Sequence, residues 1–340
     1  MVRRHGIKML GVGFLILLFL NPTVLGAEKS LLIKMGTLAP EGSSWMKTFT
    51  TLNTEVRKKT ENKVQFRIYP GGVLGDEMDM LRKMRIGQIQ CAALTTGGLS
   101  VIFKEIDVFQ IPFLFQTYDE VDATLKKMDS LFRKGFEDNG YVLLGWSEAG
   151  FIYLMSTIPI ASVADLKKAK VWIWDETSMA KTIFDEAGVS SIPLSVPDVL
   201  VGLQTRLVDV VYAPPTGAIS LQWFTRIKYL TDVPLVYVGG GLLVRKDIFQ
   251  QVPQPLQPII LESFQHHLGQ LKIVTRNENR DAVKVMVKNG IKIVTPSKDQ
   301  LNEFKILSNK AMGHPGSQSF SKKVLEEVNT FLEIYRKGGK

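Results

Sequence analysis

The sequence predicts an α/β chain folded as two lobes with a cleft between them, and three observations carry that reading. At 340 residues the chain has room for roughly two domains of about 150 residues each. Strand-like and helix-like segments alternate, and they do so in two separate series. The composition is 45% hydrophobic and 22% charged, with 15 Pro and 28 Gly, which excludes a disordered tail, a collagen-like rod and a disulfide scaffold.

The first 26 residues read as an address rather than as structure. Arg3, Arg4 and Lys8 precede an apolar core from Leu10 to Leu20. Asn21-Pro22 breaks any helix there, and Val24-Leu25-Gly26 leads to an expected cut near Gly26 or Ala27. This is the layout of a secretory signal peptide, since the apolar core is well short of the roughly 20 residues that cross a bilayer. No cysteine follows it, so a lipid-anchored form is excluded. Removal of the leader takes away three basic residues and no acidic one, lowering the formal charge from +9 to +6. The mature chain is then mildly basic and is not expected to bind nucleic acid.

The first series begins with a short apolar strand at Leu31–Gly36. Trp45, Phe49, Leu52 and Val56 recur every three or four residues, predicting a helix from Ser44 to Lys58. Val64, Phe66 and Ile68 alternate with polar neighbours as in a half-buried strand, which Pro70-Gly71-Gly72 ends. A second helix is expected from Asp76 to Ile86, and the run Ile89–Leu94 reads as a third strand. Such a βαβαβ beginning argues for a mostly parallel sheet with helices packed on it.

In the second series, Ser162 and Asp165 are placed to cap a short turn ahead of a strand at Lys170–Trp174. A helix near Ser178–Ala187, a short segment at Ile192–Leu194, a helix near Pro197–Leu203 and a buried strand at Val208–Ala213 follow. The longest helical pattern runs from Leu256 to Asn289, about 50 Å at 1.5 Å per residue. Either it bridges both lobes or Gly269 divides it. A last helix is expected from Lys322 to Lys337.

Signatures of catalysis are missing: the chain has no GxSxG elbow, no GxxxxGK[ST] loop, no HExxH and no GxGxxG. One cysteine, Cys91, excludes a disulfide and a multi-cysteine metal site, and its apolar surroundings predict a buried structural thiol. His266 and His267 lie about 100° apart on their helix and read as a solvated face. Asp76, Glu77 and Asp79 read as first-turn acids favoured by the helix dipole rather than as a metal site. The Pro70–Gly75 stretch reads as a tight turn rather than an anion site. No enzyme activity, metal or cofactor is expected.

Four motifs in order nonetheless resemble one family. They are Tyr69-Pro70-Gly71-Gly72-Val73-Leu74-Gly75-Asp76-Glu77, then Ile111-Pro112-Phe113-Leu114-Phe115, then Ala164-Asp165-Leu166-Lys167-Lys168-Ala169-Lys170-Val171, and finally Leu203-Gln204-Thr205 with Val208-Asp209. Together they resemble the periplasmic solute-binding proteins of TRAP transporters, the extracellular solute-binding protein family 7, from about Leu31 to the C-terminal helix. The resemblance implies a two-lobed periplasmic binding protein fold, each lobe a mixed sheet flanked by helices, with hinge strands and a long bridging helix. It implies residues 27–149 plus about 236–280 as lobe I, and 150–235 plus about 281–340 as lobe II. The implied partners are a small-molecule ligand and the membrane subunits of a TRAP permease, with the protein in the periplasm as a monomer or weak dimer.

The family holds an organic acid with an arginine in the strand after the Asp-Leu-Lys turn, a planar fork that makes two parallel bonds to a carboxylate. Here Trp172 occupies that place. A second basic position, two residues after Gly150, falls on Ile152, and an asparagine near the Val-Asp strand is replaced by Ala213. These changes remove donors and add apolar surface. Trp146, Trp172, Trp174 and Tyr212 are candidates for an aromatic wall, and Thr95 and Glu77 complete the candidate ligand-binding set. The expected ligand is apolar, aromatic or weakly polar rather than a simple dicarboxylate. The alternative is a periplasmic sensor or scaffold of the same fold without transport.

Overall fold

The structure, a computed structural model, describes residue 1 and residues 30–174, 179–313 and 320–338. The signal-peptide reading and the first residue of the helix expected from Ser178 lie outside the described residues. In chain order the elements are β1 (Leu31–Gly36), α1 (Ser44–Lys59), β2 (Val64–Tyr69), α2 (Glu77–Arg85), β3 (Cys91–Thr95) and α3 (Thr96–Ser100). Next come α4 (Tyr118–Asp138), β4 (Tyr141–Ser156), α5 (Val163–Leu166), β5 (Val171–Ile173), α6 (Met179–Glu186), β6 (Ser191–Pro193), α7 (Val199–Gln204) and β7 (Val210–Ala213). The chain continues through α8 (Pro215–Ser220), β8 (Tyr229–Thr231), β9 (Val236–Arg245), α9 (Lys246–Phe249), α10 (Gln257–Lys288), β10 (Lys292–Val294), α11 (Lys298–Met312) and α12 (Lys322–Gly338).

The strands follow the order β2-β1-β3-β9-β4-β7-β5-β6, with β8 joining β4 to β10. The outer pairs are parallel, as the βαβ patterns require, with Leu31 opposite Val64 and Val171 opposite Ser191. The centre is antiparallel, because β9 and β4 return between them, and the sheet is mixed rather than mostly parallel. β4 makes the join: residues Tyr141 to Ile152 pair with β9, and Tyr153 to Ser156 pair with β7. Its 16 residues span about 50 Å.

Side chains on each part of the sheet alternate between two clusters. Cys91, Ala93 and Leu144 face α1 and the first half of α10, whereas Ala92, Leu94 and Leu143 face α4 and α12. In the second part, Trp172, Val211 and Ala213 face α7, and Val171, Ile173 and Val210 face α5, α6 and α11. Cys91 is fully buried, and burial alone pushes its thiol well above the ordinary range.

α10 runs unbroken through Gly269, with Pro258 in its first turn where no intrahelical N–H is needed. Its buried stripe is Ile260, Ser263, Phe264, His267, Leu268, Leu271, Thr275, Asn279, Ala282 and Met286. Phe264 and Leu268 belong to the cluster under α1, and Met286 belongs to the cluster beside α7, so one helix packs on both parts of the sheet. The solvated-face expectation fails for His267, which is buried. Its Nε2 lies 2.7 Å from Glu55 on α1, whose carboxyl is drawn down to about 2, chiefly by hydrogen bonds from Lys59 and His267. α11 packs on α6 and α5. α12 packs instead beside α4: Val324, Val328 and Leu332 lie in its cluster, and Arg336 Nε donates to Glu120 at 2.8 Å.

A candidate ligand cavity

Both parts of the sheet, together with β4 and β9 where they cross, line a cavity of about 1310 Å³. Thr37, Glu77, Thr95 and Gly97 come from the first part, Trp172, Trp174, Tyr212 and Ala213 from the second, and Ile152 and Val236 from the crossing strands. The lining is mostly apolar. Its charged members other than Glu77, among them Lys47, Lys104, Glu278 and Asp281, are exposed or half-buried. No arginine lines it among the described residues. Arg276 on α10 is engaged elsewhere: its Nε donates to Glu148 at 2.7 Å, its Nη2 to Asp122 at 2.7 Å, and its guanidinium lies 4.3 Å over the Tyr118 ring.

The floor on the first side is built by the turn that precedes α2. Gly71, Gly72 and Gly75 all have positive φ, as a tight turn demands, and Gly72 sits so close to the second part that a Cβ would lie 3.0 Å from Pro197. Asp76 then caps α2 in a reciprocal capping box with Asp79. Glu77 turns inward and is 1% exposed; its carboxyl accepts from Thr95 N at 2.8 Å and from Thr95 Oγ1 at 3.0 Å. Burial, and then the neighbouring Asp76 charge, push Glu77 up to about 8 against those donors. At neutral pH the floor therefore presents mainly a neutral acid.

Trp172 lines the cavity yet is only 3% exposed, so most of its indole belongs to the core. The ring stacks on Tyr212 at 4.8 Å and 30°, meets Trp223 edge-on at 5.3 Å, and spends its N–H on the Leu194 carbonyl at 2.9 Å. Trp174, the residue after β5, also lines the cavity and reaches across it. Its Nε1 donates to Asp76 Oδ2 at 2.6 Å, and a Cβ on Gly97 would sit 3.5 Å from its ring. Val196 N donates to the same Asp76 oxygen at 3.1 Å. Burial raises the Asp76 pKa despite these donors.

Ile152, Ala213 and Tyr212 meet at the cavity wall, where β4 passes from β9 to β7. Trp146 does not join them. It packs against Phe132 and Phe136 of α4, with ring centroids at 6.0 and 6.1 Å, and donates to Asp129 at 2.5 Å. Two groups were not singled out from sequence. Asn279 donates to Ala149 O at 2.9 Å and accepts from Thr216 N and Oγ1 at 3.0 and 2.7 Å, tying α10 to β4 and α8. α6 and α11 also contribute Phe184, Phe304 and Ser308 to the lining. For Asn279 the available signal was a polar residue inside the apolar stripe of α10.

A mixed α/β sheet in two parts, spanned by a long helix, thus encloses a mostly apolar cavity. The model of the family described as bacterial extracellular solute-binding protein, family 7, matches residues 35–314, and the chain belongs to that family. Among relatives, the 2,3-diketo-L-gulonate-binding periplasmic protein of Escherichia coli (strain K12) is 22% identical over 245 residues, 72% of this chain and 74% of that one. Among solved structures, the sugar acid binding protein of Advenella mimigardefordensis in complex with galactonate matches with a TM-score of 0.83 at 20% identity, covering 90% of this chain and 99% of that one. A TRAP periplasmic solute binding protein from Desulfovibrio salexigens with bound orotic acid matches with a TM-score of 0.82 at 19% identity, covering 91% and 99%. The fold and the family expected from the sequence motifs are thereby borne out. Among the described residues no helix is long and apolar enough to cross a membrane.

Proposed function

We propose that this protein captures an apolar, aromatic or weakly polar solute in the periplasm and delivers it to the membrane subunits of a TRAP-type permease. The observation that carries the solute class is Trp172. It stands where the resemblance puts the carboxylate-binding arginine, and its one donor is already committed to Leu194. The named relatives bind galactonate, orotic acid or diketogulonate, all of which carry an acid group, so a carboxylate is the competing ligand. Against it, an unpaired carboxylate among Trp172, Ile152 and Ala213 would cost several kcal/mol. Exposed Lys47 and Lys104 offer only rim charges, worth about 0–1 kcal/mol.

The test is mass spectrometry of the molecules released when the purified protein is denatured, followed by titration of the identified compound and of succinate. A neutral aromatic or apolar compound, with no measurable succinate binding, is expected. Micromolar affinity for succinate or a sugar acid would falsify the proposed solute class.

A further inference from the structure

The cavity lining continues past Tyr212. The Tyr212 ring stacks on Trp172 on one side and lies 6.3 Å from Phe184 on the other. Beyond it, Phe184 and Ile183 of α6, Leu166 of α5, and Phe304, Leu307 and Ser308 of α11 complete the lining. The stripe that α11 buries consists of Phe304, Ser308 and Ala311, so a hydroxyl stands where the pattern calls for a methyl or larger apolar group. Ser308 is 3% exposed, and its Oγ has no hydrogen-bond partner among the described residues.

A helical hydroxyl ordinarily returns its bond to the carbonyl four residues back, as Thr50, Thr54, Thr60 and Thr205 do here. Ser308 does not. A buried hydroxyl without a partner destabilises a fold, and a ligand atom that pairs with it removes that penalty. Ser147 and Thr275 also carry unpaired buried hydroxyls, but neither lines this cavity. Of the charged groups on α6 and α11, Lys310 pairs with Glu186 and Lys181 with Asp185, while Lys305 lies 5.9 Å over the ring of Phe113, itself a lining residue. The cavity volume of about 1310 Å³ also exceeds the roughly 300–1,000 Å³ of ordinary small-molecule sites.

We infer that the part of the cavity beyond Tyr212 is a second subsite, taking the distal end of an elongated, mainly apolar solute whose neutral oxygen pairs with Ser308. This rests on the solute class proposed above and names its shape and its polar handle. The probes are indole, which fits beside Trp172 alone, and biphenyl and 4-phenylphenol, which are long enough to reach that part and differ only in a terminal hydroxyl. By isothermal titration, the wild type should bind 4-phenylphenol about tenfold tighter than biphenyl. Ser308→Ala should erase that difference and leave indole unchanged, while the melting temperature of the ligand-free variant stays level or rises. Ser308→Leu should weaken both two-ring probes and spare indole.

Equal binding of 4-phenylphenol by wild type and Ser308→Ala would overturn the inference. So would a lower melting temperature of ligand-free Ser308→Ala, which would show the hydroxyl satisfied by a structural water. Binding of indole without either two-ring probe removes the subsite but leaves the proposed solute class standing. Failure of all three probes removes both.

Discussion

Asp76 and Trp174 lie 98 residues apart and meet at 2.6 Å, carboxylate to indole N–H, across the cavity. Asp76 caps a helix of the first part of the sheet, and Trp174 follows a strand of the second. Val196 N reaches the same oxygen, so one carboxylate takes two donors from the opposite side. The contact joins the two parts at a point where neither the sheet nor α10 connects them.

Trp174→Phe removes the indole donor, together with the outer ring whose Cζ3 and Cε3 lie nearest Gly97. A hydrogen bond to a charged group contributes about 1.5–3 kcal/mol, so the variant should favour an open form and bind the co-purifying solute at least about tenfold more weakly. Small-angle scattering should show a larger radius of gyration for the variant than for the wild type under the same saturating solute. An unchanged radius and unchanged affinity would show that the bond does not hold the closed form.

Glu77 sets a pH dependence of stability. Its folded pKa, about 8, lies above its ordinary value of 4.5. The folded state therefore binds more protons than the unfolded one between these values, and stability falls as pH rises through that window. The slope is up to about 1.4 kcal/mol per pH unit. Glu77→Gln should flatten the curve between about pH 4.5 and 8 when urea unfolding is followed at each pH. Parallel curves for the two proteins would rule out a raised Glu77 pKa.

Trp172→Ala should cost about 3–5 kcal/mol of stability, because the indole is chiefly a core side chain packed on Tyr212 and Trp223. Trp172→Arg should be at least as harmful and should not create succinate binding, since Ile152 and Ala213 still offer no donor and the guanidinium is buried without a counter-ion. Chemical denaturation and titration with succinate check both. Succinate bound by Trp172→Arg at a Kd below about 1 mM would mean that the rest of the cavity is already built for an acid.

Gly150 has φ of +111°, and a Cβ there would lie 2.4 Å from Asn279 Nδ2. Gly150→Ala should destabilise by more than about 1 kcal/mol, through backbone strain and by displacing the Asn279 link between α10, β4 and α8. A urea midpoint equal to that of the wild type would show that β4 relaxes at this point without cost.

The regular elements could be read from sequence because their periods are clean. Val64, Phe66 and Ile68 alternate without interruption, and the stripe of α10 holds its spacing from Ile260 to Met286. β9 shows no clean period because Gly239, Gly240 and Gly241 break its apolar run, and β4 shows none because of its two irregularities, between Leu143 and Gly145 and between Glu148 and Gly150. The same irregularities explain Trp146. It stands six residues before Ile152, an even spacing that puts both on one face of a regular strand. The shift between Glu148 and Gly150 reverses the alternation and sends the indole under α4 instead. The position of His267, three residues after Phe264 and four before Leu271 on the stripe of α10, marks it as buried, whereas its chemical type alone suggests a solvated face. Ile152, Ala213 and Trp172 came together at the cavity because a motif order fixes strands in space, which composition does not.

Cys91, the lone thiol of the chain, is sealed in the sheet and held protonated by its surroundings. Maleimide reagents will therefore pass it by in the folded protein, and labels can be introduced without first removing it. Val73, on the glycine turn before Asp76, is 69% exposed, and Val201, on α7 beyond Val196, is 57% exposed. The double variant Val73→Cys, Val201→Cys would carry a spectroscopic ruler across the Asp76–Trp174 contact, reporting opening in single molecules against a silent native background.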